Sequence, residues 1–137
     1  LKADRADLFE YLESLPDASL GGVYCSQVVE HLPPDRLPDL IQLLGRKMNR
    51  GALACIETPN PECLAIFATH FYMDPTHVRP VPARLLDFYL QEAGFVNVEV
   101  AWLSPAIESM PEVAEIPEAA RSKFFGALDY AIYARRG

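Results

Sequence analysis

The sequence is poor in several features that would announce a function. It has three cysteines, Cys25, Cys55 and Cys63, and no CxxC spacing. They read as small buried hydrophobes in a reducing cytosol, and a cytoplasmic protein is expected. No apolar run approaches the length of a membrane span, and no charged-then-apolar amino-terminal segment marks a signal peptide, so no membrane partner is expected. Basic residues are in the minority, 12 Lys and Arg against 19 Asp and Glu, for a net charge of −7. That balance excludes a general nucleic-acid surface, which needs a basic stripe. Internal repeats, linkers and low-complexity segments are absent, and 137 residues suffice for one domain, 1–137, and not two. Half of the residues are hydrophobic, so a sizeable core is expected rather than disorder. The first strong strand is preceded by 21 residues with no glycine-rich loop. The chain starts at Leu1 without Met and reads as a piece of something longer.

What is present is a regular alternation. Leu1 to Arg5 reads as a short extended segment. Asp7 suits the N-cap of a helix whose apolar face is Leu8, Phe9, Tyr11, Leu12 and Leu15, ended by Pro16-Asp17. Gly21-Gly22 reads as a turn and Val23 to Ser26 as a strand. Pro33-Pro34-Asp35 opens a second helix, with Leu37, Leu40, Ile41, Leu44 and Met48 on one face, Arg46, Lys47 and Arg50 in its last turn, and Gly51 as the residue after its end. Ala52 to Ile56 is continuously apolar, as a strand buried on both faces is. Residues 62–70 suit a short helix. Pro82 starts a third long helix, with Leu85, Leu86, Tyr89, Leu90 and Ala93 on one side and Gly94 at its end. Phe95 to Leu103 alternates as a strand that places Val96, Val98, Val100 and Trp102 on one face, with Phe95 and Trp102 read as core. An acidic segment with Glu108, Glu112, Glu115 and Glu118 reads as a surface excursion. Arg121 to Phe125 suits a short helix, and Leu128 to Ala134 a final strand. Strands alternating with helices predict an α/β fold with a mostly parallel sheet, and the last two strands, lacking a long crossover helix, predict an antiparallel ending.

The most informative stretch is Gly22-Val23-Tyr24-Cys25-Ser26-Gln27-Val28-Val29-Glu30-His31-Leu32. A buried strand stops there at polar residues and passes into a helix. Ligands of α/β sheets sit at the carboxyl ends of strands, so Glu30 and His31 fall where chemistry is done. Two readings stay open: His31 caps the turn and Glu30 pairs with an arginine, or both are working groups. A second polar cluster is the loop Tyr72-Met73-Asp74-Pro75-Thr76-His77-Val78-Arg79-Pro80. Asp-Pro and Arg-Pro are ordinary chain breakers, yet Tyr, Asp, His and Arg together in nine residues also suit a cleft. Asn60 in Thr-Pro-Asn either positions substrate or caps Glu62 and its helix. His70 and Cys63 read as packing.

Six segments in order carry a resemblance: Ala6-Asp7-Leu8, Pro16 to Leu20, Gln27 to Leu32, Asn49 to Leu53, Thr58-Pro59-Asn60 and Glu92 to Phe95. Together the chain resembles the C-terminal half of a class I S-adenosylmethionine-dependent methyltransferase, of the small-molecule or sugar O-methyltransferase type. The resemblance implies a partial Rossmann-like sheet holding the family's third to seventh strands, without the glycine-rich cofactor loop. It implies that S-adenosylmethionine is the cofactor of the intact enzyme, with Asp7 and Leu8 at the adenine edge and Ser26 and Gln27 at the floor. Cofactor binding by these residues alone is then weak or lost, and the fragment inactive. The acceptor is a hydroxyl of a small molecule or sugar, with Asn60, Tyr72, Asp74 and Arg79 as candidate substrate-binding residues. Glu30, His31 and His77 are the candidate catalytic residues, a histidine serving as general base. They are also the candidate ligands of a divalent metal, because some relatives, the ubiquinone-pathway O-methyltransferases and the methyltransferases of small-RNA 3′ ends, carry Glu-x-x-Glu-His here. This chain has Gln27 at the first Glu, a poorer ligand for a hard cation. The loop around His77 also resembles the Asp-Pro-Thr-His loop of methyltransferases of bacterial surface-polysaccharide synthesis. The missing strands imply an unpaired edge on the strand at Val23 to Ser26, a route to a homodimer. The alternative reading is a half-domain interaction module without catalysis.

Overall fold

A computed structural model describes residues 5–137. The chain order is α1 (Leu8–Ser14), β1 (Leu20–Ser26), α2 (Arg36–Lys47), β2 (Met48–Pro59), α3 (Ala65–Thr69), α4 (Ala83–Glu92), β3 (Phe95–Pro105), α5 (Ala106–Ser109), α6 (Glu118–Phe124) and β4 (Ala127–Arg136). Single 3-10 turns span Val29–His31, Phe71–Met73 and Pro111–Glu115. The four strands form one sheet in the order β1-β2-β4-β3. β1 and β2 are parallel, and β4 runs antiparallel to both β2 and β3. Three strands therefore point one way and only the last is reversed, as the sequence predicts. The expected strand at Leu1 to Arg5 lies, except for Arg5, outside the described residues. Among those residues nothing pairs with the outer edge of β1, and Tyr24 on that strand is 68% exposed.

The helices form for the reasons the sequence offers. Asp7 caps α1, its Oδ1 accepting the N–H groups of Phe9 and Glu10 at 3.0 Å. Leu37, Leu40, Ile41 and Leu44 of α2 are all buried, as are Leu86 and Leu90 of α4. They meet Ala54 and Ile56 of β2 and Tyr130, Ile132 and Ala134 of β4 in the main core. A second, smaller core joins Cys63, Ala65, Ile66 and Phe71 to Ala106 and Leu128, beside the carboxyl end of β2. No helix of the described residues is long and apolar enough to cross a membrane.

Four local expectations are overturned. Gly21 and Gly22 belong to β1 rather than to a turn. Gly22 lies so close to β2 that a Cβ there would come 3.2 Å from the Leu53 carbonyl oxygen. Gly51 does not end α2, because Met48 is already extended and buried. With φ +79°, Gly51 instead lies where the β1–β2 register jumps between Leu20↔Met48 and Gly22↔Leu53. Val96 leaves the face of Val98, Val100 and Trp102, because a bulge between Val96 and Glu99, with Asn97 at φ +53°, inserts one residue. Trp102 is 52% exposed rather than core, since β3 is a sheet edge; its ring lies near Tyr130, centroids 6.1 Å apart. The acidic stretch folds into α5, a 3-10 turn and the start of α6, its glutamates exposed.

α2 and α4 approach where Gly45 faces the end of α4. A Cβ on Gly45 would lie 2.8 Å from the Ala93 carbonyl oxygen. Gly45→Ala is therefore expected to lower stability by about 1–3 kcal/mol, read as a reduced urea midpoint. An unchanged midpoint would show that the helices part freely there.

Candidate active site

The polar residues gather at the carboxyl ends of β1 and β2. β1 ends at Ser26, and Gln27 turns the chain with φ +54°, its N–H held by the Glu57 carbonyl at 2.9 Å. The 3-10 turn Val29–His31 then drives Glu30 inward until it is fully buried. The Thr58 hydroxyl, on β2, donates to Glu30 Oε2 at 2.8 Å. Glu30 Oε1 is buried and has no hydrogen-bond partner among the described residues. No arginine pairs with Glu30 among the described residues, so that reading of the motif falls away. Its neighbours Cys25 and Tyr130 are neutral groups, and burial followed by the Glu30 charge drives both upward, the Cys25 thiol to about 11. The Tyr130 hydroxyl donates to the Val81 carbonyl at 2.8 Å.

The loop after β2 folds onto this carboxylate. The N–H groups of Val78 and Arg79 donate to the Glu30 carbonyl oxygen, at 2.9 and 3.3 Å. That anchor brings the His77 ring beside His31, centroids 4.6 Å apart, with Phe71 on its other side at 4.5 Å. His77 Nδ1 lies 2.6 Å from the Phe71 carbonyl oxygen. A carbonyl only accepts, so Nδ1 carries a hydrogen, and in the neutral ring the lone pair is left to Nε2. The Thr76 hydroxyl lies 2.8 Å from His31 Nδ1. Glu30, His31 and His77 each place a ligating atom within 4.8 Å of the others. A carboxylate with two imidazoles suits a first-row divalent cation, and the orphaned Glu30 oxygen fits such an ion.

The other candidates are placed as follows. Asp7 is the α1 cap, with Leu8 following it. The Ser26 hydroxyl donates to Glu57 Oε1 at 3.3 Å, and Tyr24 to Oε2 of the same carboxylate at 3.0 Å. Asn60 is buried, its amide donating to the Ala127 carbonyl and its oxygen accepting the Glu62 N–H, which is the capping geometry. Tyr72 is exposed beside Phe67 and Phe71. Asp74 accepts from Thr76 through Oδ1, its side chain still 45% exposed. Arg79 is half-buried and meets the site through its backbone. A pocket of about 190 Å³ opens beside His77, lined also by Gln27, Pro59, Ile66, His70, Phe71, Leu128 and Asp129. Gln27 Nε2 reaches Asp129 Oδ1 at 3.4 Å across it. Thr58, Thr76, His70 and Asp129 are the members that sequence reasoning missed. The Thr flanking Pro-Asn and the Thr flanking His offered a local signal; His70 and Asp129 arrive only through tertiary folding.

No family model and no curated protein matches the chain, but solved structures do. A S-adenosylmethionine-dependent methyltransferase from Archaeoglobus fulgidus is 36% identical over 96% of this chain, with a TM-score of 0.85. A S-adenosylmethionine-dependent methyltransferase from Mesorhizobium loti matches 97% of this chain and 68% of its own, at 18% identity and TM-score 0.65. Phosphoethanolamine N-methyltransferase 2 from Haemonchus contortus, solved with S-adenosylmethionine, matches 90% of this chain and 34% of its own, at 12% identity and TM-score 0.59. The last two show the fold alone. The chain belongs to the class I S-adenosylmethionine-dependent methyltransferases. It spans 66% of the length of the Archaeoglobus protein.

Asp74 has a pH consequence. The Thr76 hydroxyl, then the Thr76 N–H, hold its carboxyl below the ordinary value of 3.8, with smaller help from His77 and His31. A carboxyl depressed by folding stabilises above its unfolded value and loses that contribution as pH falls through the folded one. Protection of the Thr76 amide from hydrogen exchange, corrected for the intrinsic rate, is therefore expected to fade below about pH 4. Protection that persists unchanged into stronger acid would contradict this.

Proposed function

We propose that the complete protein transfers a methyl group from S-adenosylmethionine to an oxygen of a small molecule or sugar. The reading is supported above all by His77, whose Nδ1 is held by the Phe71 carbonyl, leaving Nε2 as the basic nitrogen of the neutral ring, on the wall of the pocket beside Glu30 and His31. The sulfonium is already activated, so the protein has to align donor and acceptor and take a proton. The acceptor oxygen attacks the methyl carbon as the S–CH3 bond breaks with its electrons going to sulfur. The hydroxyl proton passes to His77 Nε2, or to His31 where that ring is nearer the acceptor. A pocket of about 190 Å³ suits an acceptor smaller than a drug-sized ligand. Glu30, His31 and His77 would also hold a divalent metal, whose charge would make the acceptor hydroxyl more acidic.

The test is methyl transfer from labelled S-adenosylmethionine by the whole protein. His77→Ala is expected to lower kcat by about 10²–10⁴-fold with the cofactor KM little changed. Excess chelator leaves the rate intact if a histidine acts as base, and abolishes it if a metal is required. Full activity of His77→Ala would sink both versions.

One observation favours a second, non-catalytic role as an interaction module. The outer edge of β1 is unpaired among the described residues, and an open edge invites strand pairing. Sedimentation of the 137-residue chain is expected to show a concentration-dependent dimer. A clean monomer at high concentration would dismiss this role for the edge.

A further inference from the structure

We propose that Asp74 and Thr76 form a hydrogen-bond relay that dictates which nitrogen of His31 carries the proton, making both positioning residues of the site. The Asp74 carboxylate can only accept, and its Oδ1 receives both the Thr76 N–H at 2.8 Å and the Thr76 hydroxyl at 2.6 Å. A threonine hydroxyl has a single hydrogen. Once that hydrogen lies on Asp74, the hydroxyl oxygen can only accept from its other neighbour. That neighbour is His31 Nδ1, 2.8 Å away. Nδ1 must therefore carry a hydrogen, and in the neutral ring the lone pair is left to Nε2.

This is the less favoured tautomer of a free imidazole in water, so the protein has to impose it. It does so twice with different parts. His77 is set by a backbone carbonyl, that of Phe71, and His31 by a side-chain relay that ends on a carboxylate. The two rings stand 4.6 Å apart, centroid to centroid, and both are left with Nε2 as the basic nitrogen. Asp74 thereby acts through Thr76 rather than on substrate directly. Its other oxygen, Oδ2, lies 4.0 Å from His77 Nε2. The functional consequence rests on the reading of His31 as a working group of the methyl-transfer site. The tautomer itself does not.

The experiment is long-range proton–nitrogen NMR of the imidazoles in the 137-residue chain, at alkaline pH where histidine is neutral. His31 is expected as the Nδ1–H form. Thr76→Val removes the oxygen that accepts from Nδ1, and Asp74→Ala frees the Thr76 hydroxyl to donate to it. Both are expected to shift His31 to mainly the Nε2–H form while His77 stays Nδ1–H. Thr76→Ser restores the relay and the original tautomer, which separates a positioning role from a merely structural one. Matched thermal melts establish that the variants are folded. An Nε2–H form of His31 in the parent chain, or a tautomer unmoved by both substitutions in folded protein, would overturn the relay. In the whole protein, Thr76→Val is expected to lower kcat by about 10–100-fold at unchanged cofactor KM. A switched tautomer with undiminished kcat would uphold the relay and instead count against His31 as a working group of the reaction.

Discussion

A single buried carboxylate organises this half of the molecule. Glu30 is fully buried, satisfied on one oxygen by Thr58 and, among the described residues, on the other by nothing. An isolated carboxylate in an apolar interior costs several kcal/mol even after relaxation, roughly, so such a group persists only where something offsets it. Its immediate surroundings offer Cys25, Tyr130 and Thr58, all neutral, and the imidazoles of His31 and His77. The histidines are the only groups of that set that can carry positive charge or share a cation. The same residue fixes the loop through its backbone, where its carbonyl takes the N–H groups of Val78 and Arg79. Side chain and main chain of one residue thus supply the buried acid of the site and fix the position of its second histidine.

The sheet explains why these pieces converge. β1 and β2 are parallel, so both carboxyl ends open on one side, delivering Glu30 from the first and Thr58 from the second. β4 is reversed, so its amino-terminal end reaches that same side, and it contributes Leu128 and Asp129. The second core, under α3 and Phe71, is what holds the loop down beside the sheet rather than over solvent. Phe71 serves twice, as a buried side chain and as the carbonyl that fixes the His77 tautomer.

Much of this was legible in the sequence. The α2 face, the Asp7 cap and the parallel β1–β2 pair follow from periodicity and capping chemistry, which are local signals. Glu30, His31 and His77 were recognisable because polar residues at a strand exit and in a proline-bounded loop have few structural uses. Where reading failed, the cause was tertiary. Gly51 looks like a helix stop, and only the burial of Met48 in an extended conformation shows that the helix has already ended. Val96 alternates correctly on paper, and one inserted residue at Asn97 turns it to the other face. Asp74 was visible as a polar residue, but its contact with Thr76 depends on how the loop closes.

The same reasoning accounts for Gln27, the departure from the Glu-x-x-Glu-His pattern. Its amide donates across the pocket to Asp129, at 3.4 Å. A glutamate in that place would set two carboxylates against each other, and one of them would have to stay protonated or turn away. The amide at 27 and the acid at 129 are therefore best understood as a matched pair. The acidic group on this wall of the pocket comes from the start of β4 instead of the exit of β1. Asp129 can accept a hydrogen bond from an acceptor hydroxyl, while Gln27 can both donate and accept. A pocket walled by Pro59, Ile66, Phe71 and Leu128 then carries its hydrogen-bonding groups on His70, His77, Gln27 and Asp129.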